Sequence, residues 1–314
     1  MDHVEGDRAL SWFVPTARGL LLLGTLAVAG CLDPTPYGDI PPDEETPEPE
    51  DPVAGPSVAS FVTWNLKFFP LTSSTPEIVA SLLNEWGDDV VAVEEITEPE
   101  TFMAMVDTMP GYAAVLNDDP GAPLRLGLLY NTDRVRVSNT ETLFIDDTWA
   151  FPRPPLKADV TITLQAGVLD FTVIVVHLKS QVGDDTAPRR RAAALALDAW
   201  VTEHAGVDAD QDIVILGDFN EELLAPSETF DIFVGQPQDY RFLTYALNVG
   251  DGFSQISYQS FLDHILITTA ALDDYGGGTT VVLDPRRVEA RYEDLVSDHL
   301  PVRALFSPGT VPAP

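Results

Sequence analysis

The chain has 314 residues with 50 acidic against 17 basic side chains, which gives a formal net charge of -33 and an isoelectric point near 4.1. This balance excludes the basic footprint of a dedicated nucleic-acid-binding module, so a phosphate-bearing substrate would need metal ions to approach. A hydrophobic content of 45% supports a buried core, and the length allows one large domain or two small ones.

The first 30 residues predict a targeting segment. Arg18 precedes an apolar run over 20–29, which is too short to span a bilayer and suits an export signal. The VAGC sequence ending at Cys31 resembles a bacterial lipobox, which implies that 1–30 are a lipoprotein signal peptide and that Cys31 is lipidated. The alternative is a signal peptide with an incidental cysteine. We expect an exported protein held by lipid in the bacterial cell envelope, at the outer membrane or the cell surface.

Residues 31–56 predict a disordered tether. The stretch 32–56 contains eight acidic residues, eight prolines and no basic residue. Such a composition cannot bury enough apolar surface to offset the entropy of the chain. We therefore expect one folded domain over 57–306 and a frayed tail over 307–314.

The pattern of the folded part is mixed α/β. Predicted strands cover 58–65, 90–94, 124–130, 134–144, 157–165, 169–177, 212–216, 261–269 and 301–306. Predicted helices cover 76–86, 99–109 and 188–204. Many strands with few helices favour two packed sheets flanked by helices over a doubly wound single sheet.

Polar side chains occur at the boundaries of these strands, in the motifs WNL, EEI, HLKS, GDFN, LDHI and SDHLPV. If the two sheets pack face to face, these boundaries can converge at one rim. Carboxylate and amide oxygens suit Mg²⁺, Mn²⁺ or Ca²⁺ better than Zn²⁺, and the candidates are Asn65, Glu95, Asp218, Asn220 and Asp298. The imidazoles of His177 and His299 can transfer protons and bind phosphate.

In this order, over about residues 58–306, the motifs resemble the endonuclease/exonuclease/phosphatase superfamily typified by deoxyribonuclease I. The resemblance implies a four-layer α/β sandwich, with two central mixed β-sheets flanked by helices, and metal-dependent hydrolysis of phosphate esters. Mg²⁺ is the expected cofactor, with Mn²⁺ or Ca²⁺ as alternatives.

The resemblance also implies roles for individual side chains. Asn65 and Glu95 would help to hold the metal, with Asp298 near it. Asp218 would orient or deprotonate the attacking water, and Asn220 would contact the phosphate. The remaining catalytic candidates are His299 on the scissile phosphate, Asp263 orienting it, and His177 as a general acid or second phosphate ligand.

Four further residues have competing interpretations. Neighbours in a strand point to opposite faces, so one of Glu94 and Glu95 should face the site, and the motif favours Glu95. Arg153 matches a recurrent Arg-Pro segment of the family, and Arg189 opens the long helix; either could bind a substrate phosphate. His264 should point away from Asp263 and be structural.

Fold and core motifs define the reaction class and leave the substrate open. The superfamily cleaves DNA, RNA, phosphoinositides and sphingomyelin with the same core. We expect a surface-tethered endonuclease acting on extracellular DNA, as a monomer without a protein partner. One alternative is a lipid phosphodiesterase, either sphingomyelinase-like or a phosphoinositide phosphatase, which an exposed aromatic hairpin at Phe68-Phe69 would favour. The other is a non-catalytic surface-binding lipoprotein.

Overall fold

The structure, a computed structural model, describes residues 57–308 except 120, 182, 206–211 and 251. The predicted signal peptide, Cys31 and the acidic tether lie outside the described residues, as do residues 309–314 of the predicted tail. Ser307 is not frayed, because its amide donates to Tyr275 O (3.1 Å) and it forms a parallel bridge with Gly276. No helix of the described part is long and apolar enough to cross a membrane.

The described residues form two six-stranded sheets. The strands are β1 Ala59–Phe69, β2 Val90–Ile96, β3 Tyr112–Leu116, β4 Arg125–Asn131, β5 Val135–Thr142, β6 Leu156–Thr163, β7 Val168–His177, β8 Ile213–Asp218, β9 Tyr240–Phe242, β10 Asp263–Thr268, β11 Thr279–Val282 and β12 Val302–Phe306. The helices are α1 Thr75–Trp86, α2 Pro99–Asp107, α3 Thr186–Ala205, α4 Asp231–Val234, α5 Tyr245–Val249, α6 Leu272–Tyr275 and α7 Tyr292–Leu295, with a 3₁₀ turn over Pro285–Arg287.

Both sheets are mixed and share one plan. The first has the order β11-β12-β1-β2-β4-β3, and the second has the order β5-β6-β7-β8-β10-β9. In each, the two central strands are parallel (β1 with β2, β7 with β8) and all other neighbours are antiparallel. Parallel neighbours need a crossover connection, which α1 supplies in the first sheet and α3 in the second.

Apolar side chains divide the domain into layers. The faces of the two sheets pack against each other through a core that includes Phe61, Val175 and Leu216. The outer face of the first sheet is covered by α1 and α2, and that of the second by α3, whose Leu197 is fully buried. This arrangement confirms the predicted four-layer sandwich with two central mixed sheets.

Candidate active site

The second sheet brings three polar side chains together by register alone. His177 ends β7, Asp218 ends β8 and Asp263 begins β10; the register places Asp218 directly opposite both His177 and Asp263. All three lie two residues from apolar side chains of the inter-sheet core, such as Val175 and Leu216. They therefore point into the space between the sheets, at the end where that core stops.

The first sheet contributes Asn65 and Glu94, which are paired at the ends of the parallel strands β1 and β2. Both share the inter-sheet face with Phe61 and Ala92. Glu94 is fully buried and accepts a hydrogen bond from Thr63 Oγ1 (3.0 Å). Burial raises the pKa of Glu94 well above its usual range, and the charges of nearby Asp263 and Asp218 add to the shift, so the site favours the neutral form of this side chain.

Glu95 also reaches the site, although strand alternation predicts that it should not. Its φ of +63° lies in the left-handed region, and the pairing of β2 shifts register between Val93 and Ile96. Such a bulge re-aims one side chain. Glu95 Oε1 accepts from Asn65 Nδ2 (3.3 Å) and lies 3.8 Å from His177 Nε2. The expectation that only one of the two glutamates faces the site is therefore wrong, while the placement of Glu95 beside Asn65 agrees with the motif.

Asp218 lies at the centre of the cluster. Its Oδ2 accepts from Asn65 Nδ2 (3.0 Å) and is 3.5 Å from His177 Nε2, and its Oδ1 accepts from the backbone amide of Asn220 (2.8 Å). Burial and the neighbouring charge of Asp263 raise the pKa of Asp218 to about 7. A carboxylate with such a pKa can exchange a proton with water near neutrality.

The turn that carries Asp218 depends on the glycine before it. At Gly217 φ is +149°, and a Cβ built on this residue would lie 1.8 Å from Val176 O on the neighbouring strand. Asn220, two residues beyond Asp218, has a φ of +58°, and its side-chain amide donates to Leu178 O (3.2 Å). The GDFN motif thus encodes a close backbone approach and a turn as well as its polar side chains.

His299 and Asp263 form a buried pair. His299 Nδ1 lies 2.8 Å from Asp263 Oδ2, and Ser297 Oγ accepts from the His299 amide (3.0 Å) while donating to Asn65 O (2.6 Å). Burial alone would lower the pKa of His299, but the charges of Asp263, Asp218 and Asp298 outweigh it and raise the pKa to about 10. The imidazole is therefore a cation at neutral pH, oriented by a carboxylate as predicted.

His177 has the opposite character. It is almost fully buried, and neither ring nitrogen has a hydrogen-bond partner among the described residues. Burial lowers the pKa of His177 well below its usual value, and the positive charges of Arg153 and His299 lower it further. The site therefore combines one neutral and one cationic imidazole, which can accept and donate hydrogen bonds respectively.

The two predicted phosphate-binding arginines both donate hydrogen bonds to the main chain. Arg153 is buried; its Nε donates to His177 O (3.1 Å) and its Nη2 donates to Leu178 O. Arg189 donates to the carbonyls of Thr148 and Trp149. Each guanidinium keeps further N–H groups beyond these two contacts, so phosphate binding by Arg153 and by Arg189 stays a prediction.

Asp298 does not join the acidic cluster. Its Oδ2 forms an ion pair with Lys67 Nζ (2.9 Å), and both side chains are partly exposed. Its assignment near a metal stays a prediction. His264 is buried on the opposite face of β10, where its ring nitrogens lie near Thr244 Oγ1 (3.0 Å) and Glu221 O (3.2 Å), in agreement with the predicted structural role.

Sequence reasoning missed a second supporting ion pair. Arg190 Nε donates to Glu221 Oε2 (2.7 Å) and Arg190 Nη1 donates to Lys179 O (2.9 Å), with arginine and glutamate both largely buried. Together with Arg153, this pair anchors the three carbonyls that follow the end of β7. The available signal was an acid directly after GDFN and a basic triplet opening a helix, which is too common to be diagnostic.

The donor set fits a divalent metal ion. The side chains of Asp218, Asp263 and His299 each offer one ligand atom, and these atoms lie within 4.8 Å of one another. Oxygen-rich sites suit hard cations. Asp263 Oδ1 is buried with no hydrogen-bond partner among the described residues, so this corner of the site has an unused acceptor.

The layered fold and the paired imidazoles among buried acids define an α/β-sandwich hydrolase. A model of the endonuclease/exonuclease/phosphatase family matches residues 62–299, and the chain belongs to this family, whose members are phosphoesterases. No curated protein matches the chain.

Solved structures share the fold at low sequence identity. TDP2 of D. rerio in complex with a single-strand DNA product has a TM-score of 0.61 at 16% identity, covering 80% of this chain and 99% of that chain. The human Nocturnin catalytic domain with bound sulfate has a TM-score of 0.60 at 16% identity, covering 81% and 96%. A mannosyl-6-phosphatase of Bacteroides thetaiotaomicron has a TM-score of 0.57 at 16% identity, covering 78% and 98%.

Proposed function

We propose that this protein is a divalent-metal-dependent phosphodiester hydrolase that acts as an endonuclease on extracellular DNA while tethered to the bacterial cell envelope. The observation that carries the reaction class is the convergence of the Asp218 cluster and the Asp263–His299 pair at one rim of the sandwich. Strands of both sheets supply these groups, and the pKa of His177 is lowered while the pKa values of Asp218 and His299 are raised. Such a pairing of acid and base is typical of a catalytic site.

Asp218 is the proposed base for the attacking water. With a pKa of about 7 it has the affinity for protons that general-base catalysis near neutral pH requires. The backbone amide of Asn220 and the side chain of Asn65 fix its orientation. Water activated between these groups would be held in place for attack on phosphorus.

His299 is the proposed group that stabilises the charge developing on the phosphate. Its Nδ1 is engaged by Asp263, so Nε2 is the nitrogen that would donate to a phosphate oxygen. The neutral imidazole of His177, 3.5 Å from Asp218, is the second proton-transfer group. A preorganised cation in a buried site costs little reorganisation when negative charge builds up on the substrate.

Asn65 and Glu95 are the proposed metal ligands, with Asp218 beside them. We favour this set over Asp218, Asp263 and His299 because His299 Nδ1 is held by Asp263, and because carboxylate and amide oxygens suit a hard cation better than an imidazole does. A hydrogen bond of 3.3 Å from Asn65 Nδ2 to Glu95 Oε1 holds the two proposed ligands next to each other. The Asn65 amide is uncharged, so it does not repel the metal ion. Once bound, Mg²⁺ polarises a phosphoryl oxygen and lowers the pKa of its water.

Two observations favour DNA over a lipid as the substrate. TDP2 of D. rerio, which shares the fold, was solved with a single-strand DNA product. Phe69 is fully buried against Phe102, so the aromatic pair that would favour lipid insertion exposes only Phe68. The acidity of the chain does not preclude DNA, because salt screens charges beyond roughly 8–10 Å.

The test is hydrolysis of plasmid DNA, RNA, sphingomyelin and phosphoinositides by the domain, with Mg²⁺ and with a chelator. We expect nicking of plasmid DNA that stops with the chelator and returns with Mg²⁺. Faster turnover of a lipid would establish the phosphodiesterase alternative. Turnover of none of the four would establish a non-catalytic lipoprotein.

The two glutamates provide a matched pair for the metal assignment. Glu95→Gln should raise the Mg²⁺ concentration needed for half-maximal activity, because it removes a charged ligand. Glu94→Gln should leave that concentration nearly unchanged, because the buried Glu94 accepts from Thr63 Oγ1, its surroundings favour the neutral form, and the amide has nearly the same shape. A larger effect from Glu94→Gln would refute the ligand assignment.

A further inference from the structure

The end of β1 has an unusual backbone beside the site. Lys67 and Phe68 have φ of +41° and +52°, so two successive non-glycine residues lie in the left-handed region. The Lys67 amide donates to Asn65 Oδ1 (2.9 Å), and the Phe68 amide donates to Glu95 Oε2 (3.1 Å). Backbone strain persists where the surroundings enforce it, and it clusters at functional sites. Here the enforcing side chains are the proposed metal ligands themselves.

This irregular stretch of β1 carries two partly exposed side chains beside the site. Phe68 is 53% exposed, in contrast to the buried Phe69 that follows it. Lys67 Nζ lies 2.9 Å from Asp298 Oδ2, next to the proposed catalytic residue His299. A continuation of regular β structure would give these side chains other directions, so the irregular stretch is what places a cation and an aromatic ring here.

The Lys67 ammonium is partly exposed and lies beside the proposed catalytic residues. The chain contains three lysines. Lys157 pairs with Asp159 on β6 (2.5 Å), and Lys179 donates to Ser180 O (2.7 Å). Lys67 and its partner Asp298 are both partly exposed, and ion pairs that water can reach are weak. A phosphate oxygen can therefore displace Asp298 at little cost.

We propose that Lys67 and Phe68 form a clamp for single-stranded polynucleotide. Lys67 binds a phosphate that neighbours the scissile one, and Phe68 stacks on the adjoining base. Lys67 and Phe68 are consecutive residues and both are exposed at least in part. A cation next to an aromatic ring matches the alternation of phosphate and base along a single strand of nucleic acid. This inference rests on the proposed phosphodiester hydrolysis and specifies the substrate class of the same site.

The clamp predicts different behaviour towards large and small substrates. A short single-stranded oligodeoxynucleotide engages the clamp, whereas bis(p-nitrophenyl) phosphate offers a diester without a neighbouring phosphate. Phe68→Leu keeps an apolar side chain but removes the stacking ring. A stacked base is worth about 1–3 kcal/mol, so KM for the oligonucleotide should rise by roughly 5- to 150-fold, with KM for the small diester unchanged.

Lys67→Gln should act through charge. Loss of one phosphate contact lowers the slope of log KM for the oligonucleotide against log salt by about 0.7, and Lys67→Arg should restore it. Lys157→Gln removes a lysine that is also paired with an aspartate but lies on β6, and it should leave the slope unchanged. Thermal unfolding midpoints should match the wild type, because both clamp side chains are partly or largely exposed.

The outcomes separate the clamp from the reaction class. Wild-type turnover of both substrates, with KM values that neither variant changes, would overturn the clamp and leave the hydrolase intact. Equal losses on both substrates would also overturn it, since the residues would then act on the reacting group. Turnover of the small diester without the oligonucleotide would overturn the polynucleotide assignment. Turnover of neither would overturn the proposed function together with the clamp.

Discussion

Asp218→Asn should stabilise the metal-free domain at alkaline pH while abolishing catalysis. Asp218 is raised from an ordinary pKa of 3.8 to about 7 in the folded protein. A group whose pKa is higher in the folded state contributes stability that is present below the unfolded pKa and is lost as pH rises through the folded pKa. The wild type should therefore lose stability between about pH 4 and pH 7, and the uncharged variant should not lose this part.

The magnitude follows from the shift and the contacts. About three pKa units at 1.36 kcal/mol each correspond to about 4 kcal/mol at pH 8. The asparagine oxygen can still accept from the Asn220 amide, but the bond from Asn65 Nδ2 is lost, which costs about 1 kcal/mol. The new amide can donate to His177 Nε2, which is 3.5 Å from the present oxygen. At pH 8 the Asp218→Asn variant should therefore be about 3 kcal/mol more stable than the wild type.

Urea unfolding with a chelator, followed by tryptophan fluorescence at pH 4.5 and pH 8, measures this difference. The variant should be more stable than the wild type at pH 8 and nearly equal or slightly weaker at pH 4.5. Turnover on DNA with Mg²⁺ should fall by about 10²–10⁴-fold, as expected for loss of a general base. A variant no more stable than the wild type at pH 8 would show that burial does not strongly destabilise the charged form of Asp218.

Three further substitutions test other parts of the molecule. Gly217→Ala should lower the free energy of unfolding by about 3 kcal/mol or more, measured by urea unfolding, because its Cβ would collide with Val176 O; an unchanged midpoint would contradict the close approach. His299→Ala should reduce kcat on DNA by about 10²–10⁴-fold, whereas His264→Ala should mainly destabilise the fold, by roughly 2–5 kcal/mol, and retain turnover per folded molecule; equal losses of kcat would refute the distinction. Cys31→Ser should move the protein from the membrane fraction to the soluble fraction on cell fractionation, and unchanged partitioning would exclude a lipid anchor.

The sequence predicts the architecture well because its strongest signals come from buried strands. The apolar runs that became β7, β8 and β10 are fully or almost fully buried near their site ends, so their hydrophobic pattern is clear. The strands β3, β9 and β11 are absent from the sequence prediction. They have three to five residues and lie at or near sheet edges, where few apolar side chains are required.

The candidate site was predictable in membership and less so in geometry. The motifs identified Asp218, Asp263 and His299; the register explains why the two aspartates meet, and a hydrogen bond joins His299 to Asp263. Alternation failed at Glu95 because a bulge with a left-handed residue leaves no clear mark in a sequence. The sequence also could not assign the partners of Arg153. A guanidinium can donate to a carbonyl or to a phosphate, and only the fold decides which of these groups lies near it.

The order of strands also determines when this protein can become active. Asn65 belongs to the first strand, and His299 lies shortly before the last strand, β12, which lies between β1 and the edge strand β11. During synthesis, β1 waits for a neighbour that is translated almost at the end of the domain, and contacts of such long sequence separation form slowly. A partly made chain holds no complete site. Completion of the site therefore depends on the last strand, and the site forms only when the whole domain has folded.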